Sequence, residues 1–206
     1  IEDAAHAIGG KYQDKPIGSC LYSDITIFSF HPVKIITTAE GGIATTNNQQ
    51  LANKMVMLRS HGITRDDKLM CEVSHGVWYY QQLELGFNYR MTELQAALGL
   101  SQCGRLKSFI DVRTKLSQEY NQRLSKLPIT TPKQLSATES SWHLYIIQLQ
   151  LDKLAKTQQQ IFQELRGAGI GVNLHYIPVH TQPYYKQLGF ENGMFNNAEN
   201  YYKQAI

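Results

Sequence analysis

The chain has 206 residues, a formal net charge of +3 and three widely spaced cysteines. Its basic residues form no block, which argues against nucleic acid as the main partner. No apolar run reaches the roughly 18 residues that span a bilayer, and the odd cysteine count indicates neither a disulfide framework nor a zinc site. These features predict a protein of the reducing cytosol, that is, a cytoplasmic protein with no membrane partner.

The sequences at both ends predict that this chain is a portion of a longer protein. It begins IEDAAHAIGG without Met and closes with NNAENYYKQAI, a helical pattern that stops without a cap. The first clear element is the segment 24–30, DITIFSF, which is rich in Ile and Phe and predicts a buried strand. The stretch GGIATTN then predicts a glycine turn and a second short strand.

Helical patterns follow. Asn48 is expected to cap a helix, QQLANKMVMLRS, that is ended by Gly62. Residues 63–87 show no clear period and predict a long loop. Thr92 then opens TELQAALGLSQCGRL, a helix expected to continue, with a bend near Gly104, through FIDVRTKLSQEYNQRLSKL.

The pattern changes after Pro128 and Pro132. HLYIIQLQL (143–151) predicts a strand, TQQQIFQELRGAG a helix with a glycine exit, and IGVNLHYIP (170–178) another strand. A strand, helix and strand over so short a distance predict a second α/β lobe beginning near residue 110.

Lys34 is the first candidate for chemistry, in the stretch FSFHPVKIITTAEGG. A nucleophilic lysine must be partly neutral, which a dry pocket or a neighbouring positive charge achieves. A tight turn between Pro32 and Gly41, directly after an apolar strand, offers such a pocket. The alternative is a lysine whose stem lies along apolar surface with its ammonium group in water.

Asp3 and His6 of EDAAHA are the second candidates. They lie three residues apart and would converge on one ligand in a helical turn. A carboxylate can keep a pyridinium nitrogen protonated, and an imidazole can bond to a ring oxygen. Alternatively, Asp3 caps a helix and His6 is an ordinary surface or core residue.

The third candidate is HYIPVHTQPYY (175–185), which gathers two histidines, three tyrosines and two prolines. Aromatic faces with polar tips suit a sugar or nucleotide, although the same residues also suit a rigid surface turn. The histidines lack metalloprotease spacing, so no metal is expected, and no Walker loop or G-x-G-x-x-G turn is present.

Six motifs in order resemble the DegT/StrS-type sugar-nucleotide aminotransferases, which are pyridoxal 5′-phosphate enzymes of the aspartate aminotransferase fold type I. The motifs are EDAAHA, FSFHPVK, EGGIATTN, LRSHGI, GFNYRMTELQAALGL and GIGVNLHYIPVH. SFHPVK and GVNLHYIPVHTQPYY are most similar to the UDP-4-amino-4,6-dideoxy-N-acetyl-altrosamine transaminases.

The resemblance implies an incomplete α/β fold of this type. Residues 1–109 would be the later portion of the large cofactor-binding domain, and residues 110–206 the small C-terminal domain, truncated at its end. Complete family members are nearly twice as long, so the chain alone is expected to be inactive.

The resemblance also implies roles for individual residues. Lys34 would bind the cofactor covalently and then shuttle a proton, and Asp3 would lie under the pyridine nitrogen. His6 stands where many members carry Gln, beside the ring hydroxyl. Ser29 would bind the cofactor phosphate.

The resemblance implies roles for three further residues. Asn88 would reach the phosphate of a neighbouring subunit, which implies a homodimer with shared sites. His175 and Tyr176 would lie on the substrate side.

The implied reaction is a ping-pong transamination in bacterial surface-sugar biosynthesis. Glutamate would donate the amino group, and a UDP-4-keto-6-deoxy-N-acetylhexosamine would accept it. Two alternatives stay open: a pyridoxal-phosphate-dependent sugar dehydratase, although such relatives have lost the lysine, and a truncated or degenerate relative that binds nucleotide sugar without turnover.

Overall fold

The computed structural model describes residues 1–206. The chain forms ten short strands, six α-helices and two 3₁₀ turns at Leu151–Lys153 and Val179–Thr181. The strands are β1 (Glu2–Asp3), β2 (Lys11–Tyr12), β3 (Lys15–Pro16), β4 (Thr26–Ser29), β5 (Gly42–Thr45), β6 (Ile63–Thr64), β7 (Gln81–Gln82), β8 (Ile129–Thr130), β9 (Thr138–Glu139) and β10 (Gln148–Leu149). The helices are α1 (Gln49–Leu58), α2 (Glu93–Cys103), α3 (Leu106–Leu124), α4 (Gln158–Gly167), α5 (Pro183–Gln187) and α6 (Asn196–Gln204).

The chain divides into two compact units. Unit 1 comprises Ile1–Arg113 and Ser136–His143, and unit 2 comprises Thr114–Leu135 and Leu144–Ile206. Unit 1 is built on a sheet in the order β1-β4-β5, in which β4 is parallel to β1 and antiparallel to β5. A second sheet joins the β2–β3 hairpin to β9, and β6 pairs with β7.

The two faces of β4 differ in burial. Thr26 is fully buried and Phe28 is 6% exposed, whereas Ile27 between them is 43% exposed. This alternation is the period-two pattern of a strand with one face against the core. The core cluster of Ala4, Phe28, Phe30 and Ile36 is covered by partly buried apolar residues, namely Ala7, Ile8, Ile17, Met91, Leu106 and Phe109.

Several predicted elements of unit 1 are confirmed. The Asn48 side chain caps α1 by accepting hydrogen bonds from the backbone N–H groups of Gln50 and Leu51. Thr92 caps α2, and the expected bend is a break at Gly104 before α3 begins. Residues 1–9 differ from the helical reading, because Asp3 belongs to β1 and turns follow it.

Unit 2 has a small antiparallel pair, β8–β10, extended by the chain end. Ile147 and Ile206 exchange both backbone hydrogen bonds, at 3.0 and 2.9 Å. The predicted helix is α4, capped by Thr157, and its glycine exit is confirmed at Gly167–Gly169.

Two predicted strands of unit 2 differ from the structure. The strand expected over 143–151 is confined to β10, and residues 170–178 form no strand. A strand requires a neighbour that accepts its ladder of hydrogen bonds. No element of the chain pairs with 170–178, so an apolar pattern alone does not make it a strand.

A polar cluster links the 3₁₀ turn Val179–Thr181 to α6. His180 is 8% exposed, and its Nε2 lies 2.9 Å from Oε1 of Glu199. The same oxygen accepts a hydrogen bond from the backbone N–H of Gly193 at 2.6 Å. These two contacts hold the pKa of the Glu199 carboxyl below its ordinary value, the His180 hydrogen bond contributing most.

Candidate functional site

Lys34 lies in a closed loop, residues 30–41, between β4 and β5. A single residue, Phe30, closes its base: its N–H donates to the carbonyl of Gly41 at 2.8 Å. Its carbonyl accepts from the N–H of Thr38 at 3.0 Å and from Oγ1 of Thr37 at 2.9 Å. The loop is therefore fixed by main-chain groups at the end of the strand.

The residues around Lys34 fix the position of its backbone. Its backbone N–H donates to the carbonyl of His31 at 2.9 Å, which closes a turn. Ile35 and Ile36 follow directly and are 5% and 1% exposed. Lys34 itself is half-buried. Burying two large apolar side chains restricts the motion of the Lys34 backbone, because moving it would expose them to water.

Helix α2 supports the far end of this loop. Nε2 of Gln95 donates to the carbonyl of Glu40 at 2.9 Å, and Oγ1 of Thr38 donates to the same carbonyl at 2.8 Å. A Cβ on Gly99 would lie 2.8 Å from Cγ2 of Thr38, so the helix approaches the loop closely. Only glycine allows this approach without displacement.

Asp3 and Ser29 lie on the same face of the sheet. Asp3 pairs with Ile27 in the parallel β1–β4 register, and Ser29 is two residues further along β4. Paired residues and residues two apart share a face. The opposite face is marked by Glu2, whose carboxylate accepts a hydrogen bond from Oγ1 of Thr26 at 2.9 Å.

This shared face is accessible at the end from which the Lys34 loop departs. Asp3 is exposed and Ser29 is half-buried. One oxygen of Asp3 accepts from the N–H of Ala5 at 3.1 Å, and Oγ of Ser29 accepts from the N–H of His31 at 3.4 Å. The arrangement offers a carboxylate, a hydroxyl and an amine near the ends of two adjacent strands.

His6 follows β1 on a turn and is exposed. Its imidazole meets the edge of the His143 imidazole, with centroids 4.4 Å apart and planes at 71°. Its carbonyl accepts a hydrogen bond from Oγ of Ser141 at 3.4 Å. Residues 141–143 therefore contact His6 through both backbone and side chain.

The remaining predicted residues are Asn88, His175 and Tyr176. Asn88 forms a backbone bridge with Ser60 and is exposed in unit 1. His175 and Tyr176 belong to the irregular segment of unit 2, with ring centroids 6.3 Å apart. No group of three or more His, Cys, Asp or Glu side chains is arranged to hold a metal ion.

A cavity of about 410 Å³ opens beside the β2–β3 hairpin. His6 and Ser141 contribute to its wall, whereas Asp3, Ser29 and Lys34 do not. Of the candidate cofactor residues Asp3, His6, Ser29 and Lys34, His6 alone therefore lines this cavity. No helix is long and apolar enough to cross a membrane.

Sequence reasoning did not identify Gln95, Ser141 or His143. The spacing of Thr92 and Gln95 matches a capping box, so the bond from the Thr92 N–H to Gln95 could have been predicted from the sequence. The second contact of Gln95 and the approach of Ser141 to His6 join residues 55 and 135 positions apart. No local pattern encodes such distant contacts.

Comparison with known proteins decides the family. The whole chain, residues 1–206, matches the DegT/DnrJ/EryC1/StrS aminotransferase family. The chain belongs to this family. The resemblance predicted from the six motifs is therefore confirmed, and so is the α/β class.

Two of the curated relatives that match over the full chain illustrate the similarity. A protein of Methanocaldococcus jannaschii is 39% identical over 208 residues, which are 100% of this chain and 53% of that protein. The UDP-4-amino-4,6-dideoxy-N-acetyl-beta-L-altrosamine transaminase of Campylobacter jejuni is 39% identical over 100% of this chain and 52% of its own length. The chain spans about half the length of the curated relatives it matches.

Solved structures of the family show the same backbone. Helicobacter pylori PseC, an aminotransferase involved in the biosynthesis of pseudoaminic acid, superposes with a TM-score of 0.86 at 32% identity. This match covers 99% of this chain and 52% of that chain. A provisionally assigned sugar aminotransferase of Streptococcus pneumoniae, in its PLP form, gives 0.85 at 31% identity over 98% of this chain and 50% of its own.

Proposed function

We propose that this family member acts, in its full-length form, as a pyridoxal 5′-phosphate-dependent aminotransferase of a keto sugar nucleotide. The observation that carries the proposal is the placement of Lys34 in a closed loop beside a sheet face that bears Asp3 and Ser29. The family match and the name of the Campylobacter relative support the reaction class.

The side chains present fit this cofactor. Lys34 supplies an amine for covalent attachment, Asp3 a carboxylate for the pyridinium nitrogen, and Ser29 a hydroxyl for the phosphate. His6 would donate to the ring oxygen, and Asn88 would serve the phosphate of a partner subunit. When bound, the cofactor supplies an electron sink that stabilises a carbanion at the substrate carbon.

The residues of the chain have separate tasks in this scheme. The Lys34 amine must lose a proton to act as a nucleophile and then carries a proton to and from the substrate carbon. The Asp3 carboxylate favours a proton on the facing nitrogen, because opposite charges stabilise each other at short range. The hydrogen bonds of Phe30 that close the loop would keep the Lys34 backbone in place during these transfers.

The substrates and partners are part of the proposal. We propose glutamate as amino donor, a UDP-4-keto-6-deoxy-N-acetylhexosamine as acceptor, and His175 and Tyr176 as substrate-side residues. The pathway would be bacterial surface-sugar biosynthesis in the cytoplasm. Residues 1–109 would be the later portion of the cofactor-binding domain, and residues 110–206 most of the small domain.

A homodimer is proposed for the assembly. The segment 69–89, which contains Asn88, exposes large apolar side chains, with Val77 97% and Trp78 72% exposed. A patch of this kind is typical of a protein–protein interface. A second copy covering it would bring Asn88 near the site of its partner.

The test uses the full-length protein with bound cofactor. Borohydride reduction followed by proteolysis and mass spectrometry should place the cofactor label on the peptide containing Lys34. Lys34→Ala should abolish the label and the visible absorption of the bound cofactor. Lys107→Ala, a change at an exposed lysine paired with Asp111, should leave both unchanged. A label on another lysine would disprove the assignment.

Two further measurements separate the alternatives. Analysis of the product from a keto sugar nucleotide distinguishes amination from removal of a hydroxyl group. Binding without product would indicate the degenerate relative.

A further inference from the structure

Residues Ser140–His143, here called the 140–143 bracket, form a short irregular segment that several hydrogen bonds hold in place. Trp142 has a positive φ of 51°, and its N–H donates to Oγ of Ser140 at 3.1 Å. Ser141 is 2% exposed and directs its hydroxyl to the carbonyl of His6. The bracket thus contacts the turn that carries His6.

Helix α3 holds the bracket from behind. Nη1 of Arg113 donates to the carbonyl of Trp142 at 3.0 Å and to the carbonyl of His143 at 3.2 Å. Hydrogen bonds from a charged guanidinium are stronger than those between neutral groups. Two of them on consecutive carbonyls fix the backbone from which the His143 imidazole projects.

The His143 ring limits the orientations of the His6 ring. An exposed side chain on a turn can choose among several rotamers, and each ordered choice has an entropic cost. The His143 ring, whose centroid lies 4.4 Å from that of His6 in an edge-on arrangement, occupies one side of the His6 imidazole. Since the two ring nitrogens of His6 point in different directions, its orientation decides which nitrogen can face a ligand.

We infer that His143 is a positioning residue for His6, and that Arg113 and Ser141 act through the bracket to hold it in place. The functional value of positioning His6 rests on the proposed function, in which His6 bonds to the ring oxygen of the cofactor. The contacts of His143, Arg113 and Ser141 with His6 and its neighbours do not depend on that function.

The first test uses the full-length protein freed of cofactor. The rate of carbethoxylation of His6 by diethyl pyrocarbonate is followed by mass spectrometry of its peptide. His143→Ala should raise this rate about two- to tenfold, the range expected from losing one aromatic edge contact. His143→Phe keeps a ring edge and should restore a near-native rate. His75, whose ring lies tilted against that of Tyr79 with centroids 4.5 Å apart, provides an internal control whose rate should not change.

A second variant guards against a misfolded His143→Ala protein. Arg113→Met leaves both imidazoles in place and removes the two hydrogen bonds to the bracket. It should raise the His6 rate in the same direction by a smaller factor. Unchanged His6 rates in both His143→Ala and Arg113→Met would overturn the inference.

The second test measures the dissociation constant of the cofactor by absorbance titration. His143→Ala should weaken binding about two- to tenfold, and His143→Phe should restore it. Equal affinities in all three proteins would overturn the link between His143 and cofactor binding. If borohydride labelling shows that Lys34 carries no cofactor, the proposed function fails, while the cofactor-free modification rates still decide whether His143 positions His6.

Discussion

The Gln95 side chain contributes both to the cap of α2 and to the support of the Lys34 loop. Two different substitutions can separate these contributions. Its Oε1 accepts from the N–H of Thr92 at 2.9 Å and completes the capping box of α2. Its Nε2 donates to the carbonyl of Glu40 at the end of the Lys34 loop. Gln95→Ala removes both roles. Gln95→Glu keeps an oxygen for the cap but has no donor for the carbonyl.

The magnitudes follow from these contacts. In Gln95→Ala the Thr92 hydroxyl still accepts from the backbone N–H of residue 95, so only the reciprocal half of the capping box is lost. The lost hydrogen bonds to the Thr92 N–H and to the Glu40 carbonyl each cost about 1 kcal/mol. The Glu40 carbonyl keeps its hydrogen bond from Thr38 at 2.8 Å, so no bare acceptor adds to the cost. Since about 1.4 kcal/mol is a tenfold change in an equilibrium constant, each loss corresponds to about a fivefold change.

Hydrogen exchange on the full-length protein measures both effects. In Gln95→Ala, the amides of Phe30 and Thr38 in the loop and those in the first turn of α2 should each exchange about fivefold faster. In Gln95→Glu, only the loop amides should accelerate. Asn48→Ala, which removes the cap of α1, is the control and should affect only that helix.

Loop protection that is unchanged in Gln95→Glu would refute the supporting role of the Nε2 contact. Loop exchange that rises equally in Asn48→Ala would show that general destabilisation, rather than this contact, opens the loop.

Two further predictions concern stability in thermal unfolding of the full-length protein. Gly62→Ala should destabilise by more than about 2 kcal/mol, because φ is +69° and a Cβ would lie 1.9 Å from the carbonyl of Glu84. Gly167→Ala, where a Cβ meets no atom within 4 Å, should be neutral or stabilising by at most about 1 kcal/mol; similar losses in both would contradict the reasoning. Glu199→Gln should lower the unfolding temperature at neutral pH, because the bond from His180 holds the Glu199 pKa below its ordinary value. That stabilisation is present above the ordinary pKa of the carboxyl and is lost as pH falls through the lower folded-state value, so the two proteins should converge in acid; a constant difference at every pH would disprove it.

Local signals predicted the elements that depend on neighbouring residues. Asn48 is predicted to cap α1 and Thr92 to open α2. Both side chains accept hydrogen bonds from amides two or three residues ahead, so these helix starts depend on neighbouring residues. The buried strand β4 was predicted from its apolar composition. The segment 170–178 was predicted to be a strand for the same reason, yet it forms none, since a ladder partner cannot be read from the segment itself.

The candidate site divides in the same way. Lys34 was singled out because its setting, an apolar strand followed by a proline and glycines, is local. A helical turn was expected to bring Asp3 and His6 together, with a helix start as the alternative; Asp3 instead lies in β1 and His6 in the turn that follows. Its shared face with Ser29 depends on strand register, and the contact of His143 with His6 depends on packing across the unit. Neither follows from spacing alone.

The closure of the Lys34 loop has a consequence for divergence within the family. The backbone that carries the amine is held by main-chain hydrogen bonds and by the Thr37 hydroxyl at the base of the loop. His31, Pro32 and Val33, at the far end of the loop, are exposed. These three exposed residues can therefore vary in size and polarity without displacing the backbone of Lys34. Evolution can alter what approaches the amine while the amine stays where it is.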